Sequence, residues 1–260
     1  MITSNQNPLI KEIQLLQKKK RERNNQKVFI VEGLRAVREI PLMWDIRKYV
    51  VANSFLLEAE SIIINQEIPI MVVADSIFEN ISDTKTPQGI MAVVSQLDYQ
   101  LEKIISKEQG FFVIADQVQD PGNLGTLIRT AHASGADGVF LSSGCVDLYN
   151  PKTIRATMGS VFHIPIWRDM DMAWLMKELK TTKTNVYATA LGESKVLYAY
   201  DYTEKTAIII GNEANGISEE TKNMVSHFIK IPMPGGAESL NASIAAGICM
   251  FEIVRQRMVK

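Results

Sequence analysis

Phe228-Ile-Lys-Ile-Pro-Met-Pro-Gly-Gly-Ala-Glu-Ser-Leu-Asn-Ala-Ser-Ile-Ala-Ala-Gly-Ile-Cys-Met-Phe-Glu-Ile-Val-Arg255 closes the chain in three parts. A short apolar strand runs to Ile231, a Pro/Gly-rich loop follows, and a long helix begins near Asn241. Pro232 and Pro234 remove N–H donors, Gly235 and Gly236 permit unusual dihedrals, and Ser239, Asn241 and Ser243 put small polar groups where the backbone re-enters the core. Such a loop is built to touch a ligand. In the helix, Leu240, Ile244, Ile248, Phe251 and Val254 recur at helical spacing and are expected to anchor it, while Ala242, Ala245, Ala246 and Cys249 form a second, small apolar row. Two rows imply burial against the domain's own sheet and against another helix. A symmetric dimer or the core of a monomer could supply that helix.

Working outward, the strand before this loop is the last of a series. Phe111–Ala115, Gly138–Ser142, Asn185–Thr189, Ala207–Ile210 and His227–Ile231 are short apolar runs separated by helical or polar stretches, and Phe111-Phe-Val-Ile-Ala115 has no polar face at all. That rhythm predicts an α/β domain with a mainly parallel sheet, whose ligands sit at the carboxyl ends of the strands. Three loops stand at such ends. Asp116-Gln-Val-Gln-Asp-Pro-Gly-Asn-Leu-Gly-Thr-Leu-Ile-Arg129 makes a turn at Pro121-Gly122, offers Asn123 as a helix cap, and carries Arg129 six residues later. Gly211-Asn-Glu-Ala-Asn-Gly216 lets the backbone line a pocket beside Glu213. The third is the closing loop. None has the G-x-G-x-x-G spacing of a dinucleotide fingerprint or the Gly-Lys-Ser/Thr of a phosphate loop.

The first hundred residues form a separate, smaller α/β unit. A helix is expected over residues 8–23, then strands Val28–Val31, Tyr49–Ala52, Ile70–Val73 and Ile90–Val94, with a domain boundary after Ile104, so that residues 1–104 and 105–260 are the two domains. A net charge of −1 conceals a polarity: residues 1–48 hold eleven Lys/Arg against five Asp/Glu. Lys18, Lys19, Lys20, Arg21 and Arg23 lie on the first helix, where they can follow an RNA phosphate backbone or form a solvated face. Two cysteines without close spacing, no apolar run of membrane-spanning length and no signal-peptide core predict a soluble, cytoplasmic protein. The three histidines share no ligand spacing with the cysteines, so no metal is expected, and no Gly-x-Ser-x-Gly elbow points to a hydrolase.

Taken in order, the three loops resemble the SpoU family of RNA ribose methyltransferases, within the SPOUT superfamily. The resemblance rests on Asn123-x-Gly-x-x-x-Arg129-Thr-Ala, Gly211-Asn-Glu213-x-x-Gly216, and Ile231-Pro-Met-x-Gly with Ser239-Leu-Asn241-x-Ser243. Asn150-Pro-Lys-Thr-Ile-Arg155-Ala-Thr-Met-Gly159 is similar to the segment linking them, with Thr157 where Ser is common, and the front unit, through Thr86-Pro-Gln-Gly-Ile-Met-Ala92, resembles a ribosomal-protein-like substrate-binding domain.

The resemblance implies a Rossmann-like sheet ending in a deep trefoil knot, a homodimer packed through the last helix, and S-adenosyl-L-methionine held by Gly211, Ile231, Leu240 and Thr189. It implies transfer of a methyl group to a ribose 2′-hydroxyl, with Arg129 as the central residue and Asn123, Glu213, Ser239 and Asn241 holding Arg129 and the ribose in register. A guanidinium keeps its proton far above neutral pH, so Arg129 fits phosphate binding and polarisation of the hydroxyl better than proton abstraction. The extra basic domain favours ribosomal RNA, of the large subunit, over transfer RNA as substrate. A non-catalytic RNA-binding or assembly factor is the alternative from another class.

Overall fold

Asn7 and Pro8 start the first helix: the Asn7 side chain accepts from the Leu9 N–H at 2.9 Å, and Pro8 occupies the first turn. In the computed structural model, which describes residues 1–63, 67–190 and 194–259, that helix is not continuous to residue 23. It ends at Lys18 because Lys19 is extended (φ −121°, ψ 109°), and a second helix starts at Lys20. Arg23 explains why the break is stable. Its guanidinium is buried and donates back to the carbonyls of Leu16 and Gln17, acceptors that the interrupted helix leaves open. Arg23 therefore leaves the set of candidate RNA contacts, whereas Lys18, Lys19, Lys20 and Arg21 are exposed.

In chain order the elements are α1 (Pro8–Lys18), α2 (Lys20–Gln26), β1 (Val28–Glu32), α3 (Leu34–Arg38), β2 (Ile46–Ala52), α4 (Leu56–Ile62), β3 (Ile70–Val73), α5 (Asp75–Ile81), β4 (Ile90–Ser95), α6 (Leu101–Ile105), β5 (Phe111–Ala115), α7 (Pro121–Ala133) and β6 (Gly138–Ser142). There follow α8 (Pro151–Thr157), β7 (Ile166–Met170), α9 (Met172–Thr181), β8 (Asn185–Thr189), β9 (Lys195–Val196), β10 (Thr206–Ile210), α10 (Glu219–Lys222), β11 (His227–Lys230) and α11 (Ala242–Met258).

Two compact units result. The first takes Met1–Leu97 together with Tyr149–Phe162, and the second takes Asp98–Leu148 and the residues from His163 on. A single cut after Ile104 does not describe this interleaving. The physical reason is aromatic: the first unit's mixed sheet, in the order β1-β4-β2-β3, is buried on both faces. On one face Ile10, Ile13 and Leu16 of α1 meet Val50 and Val93. On the other, Phe29 stacks on Tyr149 at 4.5 Å and on Phe162 at 6.3 Å, and Trp44 meets Phe162 edge-on at 5.0 Å. The Arg155–Asp83 ion pair (2.7 Å) fastens α8 to the same unit.

The second unit is built on seven strands in the order β7-β6-β5-β10-β8-β11-β9, with every pairing parallel. Its edge strands were not predicted, since β7 is interrupted by the adjacent charges Arg168 and Asp169 and β9 has only two residues. Phe112, Ile114, Phe140 and Ile209 pack on one face with Leu175 and Leu179 of α9. α11 packs on α7 and β10 through Ala246, Cys249, Met250 and Ile253. This reverses the expected anchoring, for Leu240, Ile244 and Phe251 are 38%, 54% and 50% exposed. Small residues let α11 approach α7 closely, with Gly247 facing the Thr130 methyl, and Leu240, Ile244 and Phe251 are left outside while Ile248 and Val254 are half-buried.

Candidate active site

Because the strands are parallel, the loops after β5, β8, β10 and β11 emerge at one edge of the second unit's sheet. Asp116 ends β5 as a buried carboxylate and accepts from the Ser218 N–H at 2.8 Å and the Ser142 hydroxyl at 3.2 Å. Gln117 then takes a left-handed backbone (φ 57°), with its N–H on the Ser142 hydroxyl (2.9 Å) and its carbonyl accepting from the Asn212 side chain (2.8 Å). Asp116 thus ties three loops together. Its only mark in the sequence is its place, a charged residue directly after a wholly apolar strand, which assigns it no task.

Asn123 does not cap α7 as expected. Asp120 is the cap, accepting from the Asn123 N–H at 2.7 Å. That frees the Asn123 side chain, whose amide N–H donates to Glu213 Oε1 at 2.9 Å while its Oδ1 accepts from Asn241 Nδ2 at 2.8 Å. Asn241 in turn caps α11, its Oδ1 accepting from the Ser243 N–H (2.9 Å) and hydroxyl (2.7 Å) and the Ile244 N–H (3.3 Å). A continuous hydrogen-bonded chain therefore runs from the start of α11 through the start of α7 to the loop after β10. Burial pushes Glu213 toward the neutral acid, but the Asn123 amide and backbone N–H groups, including those of Gln119 and Asp120, outweigh it and hold the carboxyl below its usual range.

Beside Glu213 the loop closes on itself. Asn212 and Gly216 exchange backbone hydrogen bonds of 2.8 and 2.9 Å, and a Cβ on Gly211 would lie 2.3 Å from the Gly216 carbonyl carbon and the Ile217 nitrogen. Only glycine fits there. Next to this turn opens a cleft of about 500 Å³. Thr189, Gly211, Ile231 and Leu240, the four residues expected to hold a cofactor, all line it, as do Glu213 and Ser239. Arg129 is not brought in: it is exposed, does not line the cleft, and its guanidinium engages no described residue. Six residues on from Asn123, it stands about 9 Å further along the axis of α7.

Lys222, Lys230 and Glu238 also line the cleft, whereas the histidines and Cys249 do not. His132 and His163 stack at 5.2 Å, and burial first, then the His163 charge, lowers the His132 pKa. Burial raises the Cys249 thiol to about 12. Among the described residues no three His, Cys, Asp or Glu side chains gather in a way that could hold a metal ion, and no helix is long and apolar enough to cross a membrane.

The arrangement of loops matches a known pattern over more than half the chain: the SpoU rRNA Methylase family matches residues 110–251. The chain belongs to the SpoU family. Residues 7–92 match the MRM3-like substrate binding domain. Over the whole chain, this SpoU protein is 33% identical to a 23S rRNA guanosine 2′-O-methyltransferase of Bacillus subtilis, covering 97% of the chain and 98% of that relative. An AdoMet-bound rRNA methyltransferase structure from Sinorhizobium meliloti superposes with a TM-score of 0.87 at 33% identity, covering 98% of the chain and 97% of its own. The A. aeolicus TrmH/SpoU tRNA modifying enzyme superposes at 0.52 and 28% identity over only 61% of this chain and 83% of its own.

Proposed function

We propose that the protein transfers a methyl group from S-adenosyl-L-methionine to a ribose 2′-hydroxyl of ribosomal RNA, in the large subunit. The observation that carries this reading is the Asn241–Asn123–Glu213 chain at the rim of a cleft lined by all four expected cofactor residues. The cleft fits the cofactor: it has the size of sites that enclose nucleoside-sized ligands, its walls mix Ile231 and Leu240 with exposed backbone, and at Gly211 the chain approaches too closely for any side chain. When bound, the cofactor supplies an electrophilic methyl group on its sulfonium. The chain's own residues do the rest. Gly211, Ile231, Leu240 and Thr189 hold the ligand; Glu213, Asn123, Asn241 and Ser239 fix the ribose; Arg129 binds the neighbouring phosphate and polarises the hydroxyl, and the proton leaves through phosphate or water.

Ribosomal RNA is favoured over transfer RNA because the relatives named for rRNA match both units, while the tRNA enzyme's likeness extends over only 61% of the chain. Lys18, Lys19, Lys20 and Arg21 supply phosphate contacts in the first unit. The protein works in the cytoplasm as a homodimer formed through α11, a reading supported by its outward row of Leu240, Ile244 and Phe251. Since α11 packs on α7, such a dimer would carry Arg129 close to the seam between copies. The trefoil knot belongs to the same reading, supported by the return of the chain from β11 to pack on β10 through α11.

Tritiated methyl transfer to separate pools of unmodified ribosomal and transfer RNA tests the proposal. Label in ribosomal RNA that survives alkaline hydrolysis as an uncleaved dinucleotide is expected, with Arg129→Ala reducing turnover at least a hundredfold. Label confined to transfer RNA overturns the substrate, and no label in either overturns the reaction.

A further inference from the structure

The first unit has a cleft of its own, of about 350 Å³, walled by Ile40, Met43, Trp44 and Tyr49 and rimmed by Arg38 and Asp45. Four observations bear on what it could hold. The turn Pro41–Trp44, closed by the Trp44 N–H on the Pro41 carbonyl at 2.9 Å, holds Leu42 and Met43 at 81% exposure each. Two large apolar side chains on a tight turn are so exposed only at a standing free-energy cost. Trp44 is fixed from beneath by Phe29 at 6.1 Å and Phe162 at 5.0 Å, so the wall is rigid before anything binds. Arg35 and Arg38 are three residues apart on α3, both exposed, and neither guanidinium engages a described residue. Asp45 is held as an acceptor by Arg47 (2.8 Å) and Ser95 (2.7 Å).

We propose that this cleft takes one unstacked nucleobase of the substrate RNA, with the flanking phosphates on Arg35 and Arg38. The inference rests on the reading of the protein as an RNA methyltransferase and assigns that reading's substrate a second foothold. A flat base offers a π-face to Met43 and Leu42 and exocyclic N–H donors to Asp45, which is how single-stranded RNA is gripped. A protein partner fits less well, because covering two unpaired guanidiniums with apolar surface carries a desolvation cost that phosphates remove.

The test uses the full-length protein and an unmodified transcript of large-subunit ribosomal RNA. Both variants replace only exposed side chains, so neither disturbs the core. Leu42→Ser/Met43→Ser is expected to raise KM for RNA about tenfold while kcat and cofactor affinity hold. Arg35→Gln/Arg38→Gln is expected to flatten the slope of log K against log salt by about 1.4, two phosphates at about 0.7 each. Wild-type KM and salt slope in both variants would sink the proposal. So would a changed oligomeric mass in the Leu42/Met43 variant with RNA affinity intact, which assigns the turn to a protein contact. If the wild type transfers no methyl group yet binds RNA with an affinity these variants weaken, the enzymatic reading fails and the pocket stands.

Discussion

Asn123 shows how one side chain changes occupation when a neighbour takes over its local duty. With Asp120 capping α7, the Asn123 amide reaches Glu213 and Asn241 instead. The lowered pKa of Glu213 follows from donors that prefer its charged form, so its contribution to stability is present above the unfolded value of about 4.3 and lost as pH falls through the lower folded value. Asn123→Ala removes one of those donors. The folded pKa of Glu213 should rise, and the pH-dependent part of the stability difference between wild type and variant, followed by chemical denaturation from pH 7 to pH 2, should be greatest near neutrality and fade as pH falls through the lowered folded value of the wild type. Because Glu213 is exposed to solvent the difference stays below about 1 kcal/mol. Methyl transfer should fall about a hundredfold, a far larger effect than the stability change. At this scale the sequence marked residues that the structure brings together more clearly than it marked their contacts. Order and spacing picked out Asn123, Glu213 and Asn241, but that Asp120 would release Asn123, or that Asp116 would pin three loops, depends on backbone geometry no spacing encodes.

α11 joins fold and site in one element, since the residue that starts it also reaches the cleft rim. Asn241→Ala removes both the cap and the hydrogen bond to Asn123, and should cost about 1 kcal/mol of stability together with most of the activity. Asn241→Asp keeps an acceptor for the Ser243 and Ile244 N–H groups but loses the donor to Asn123. It should melt near the wild-type temperature and still transfer methyl groups slowly; a fully active Asn241→Asp protein would show the Asn241–Asn123 contact to be dispensable. Element by element, the central strands were legible because a strand buried on both faces is an unbroken apolar run, as in Phe111–Ala115. The edge strands β7 and β9, half exposed or two residues long, carry no such mark. Nor does the break at Lys19, which falls in the wholly polar stretch 17–27 and is a join that Arg23 stabilises. In α11 the periodicity was right and its polarity wrong, because close helix contact selects small residues and turns Ile244 and Phe251 outward.

For the whole molecule, that outward row makes an oligomer testable. Ile244→Glu with Phe251→Glu should convert a dimer to a monomer in sedimentation equilibrium without lowering the melting temperature, and should abolish methyl transfer if the cleft needs the second copy. A wild-type protein that sediments as a monomer would remove the dimer from the proposal. The chain also passes between its two units three times, at Leu97/Asp98, Leu148/Tyr149 and Phe162/His163. One consequence concerns inheritance. The first unit is written in two separated stretches of the gene, with the second set inside the region that encodes the second unit, so one crossover between related genes cannot exchange it whole. A hybrid joined at residue 97 would receive a foreign Phe29 and Trp44 while keeping its own Tyr149 and Phe162. Partners in that ring cluster must drift together or be transplanted together, and a graft of the first unit has to move residues 149–162 along with residues 1–97.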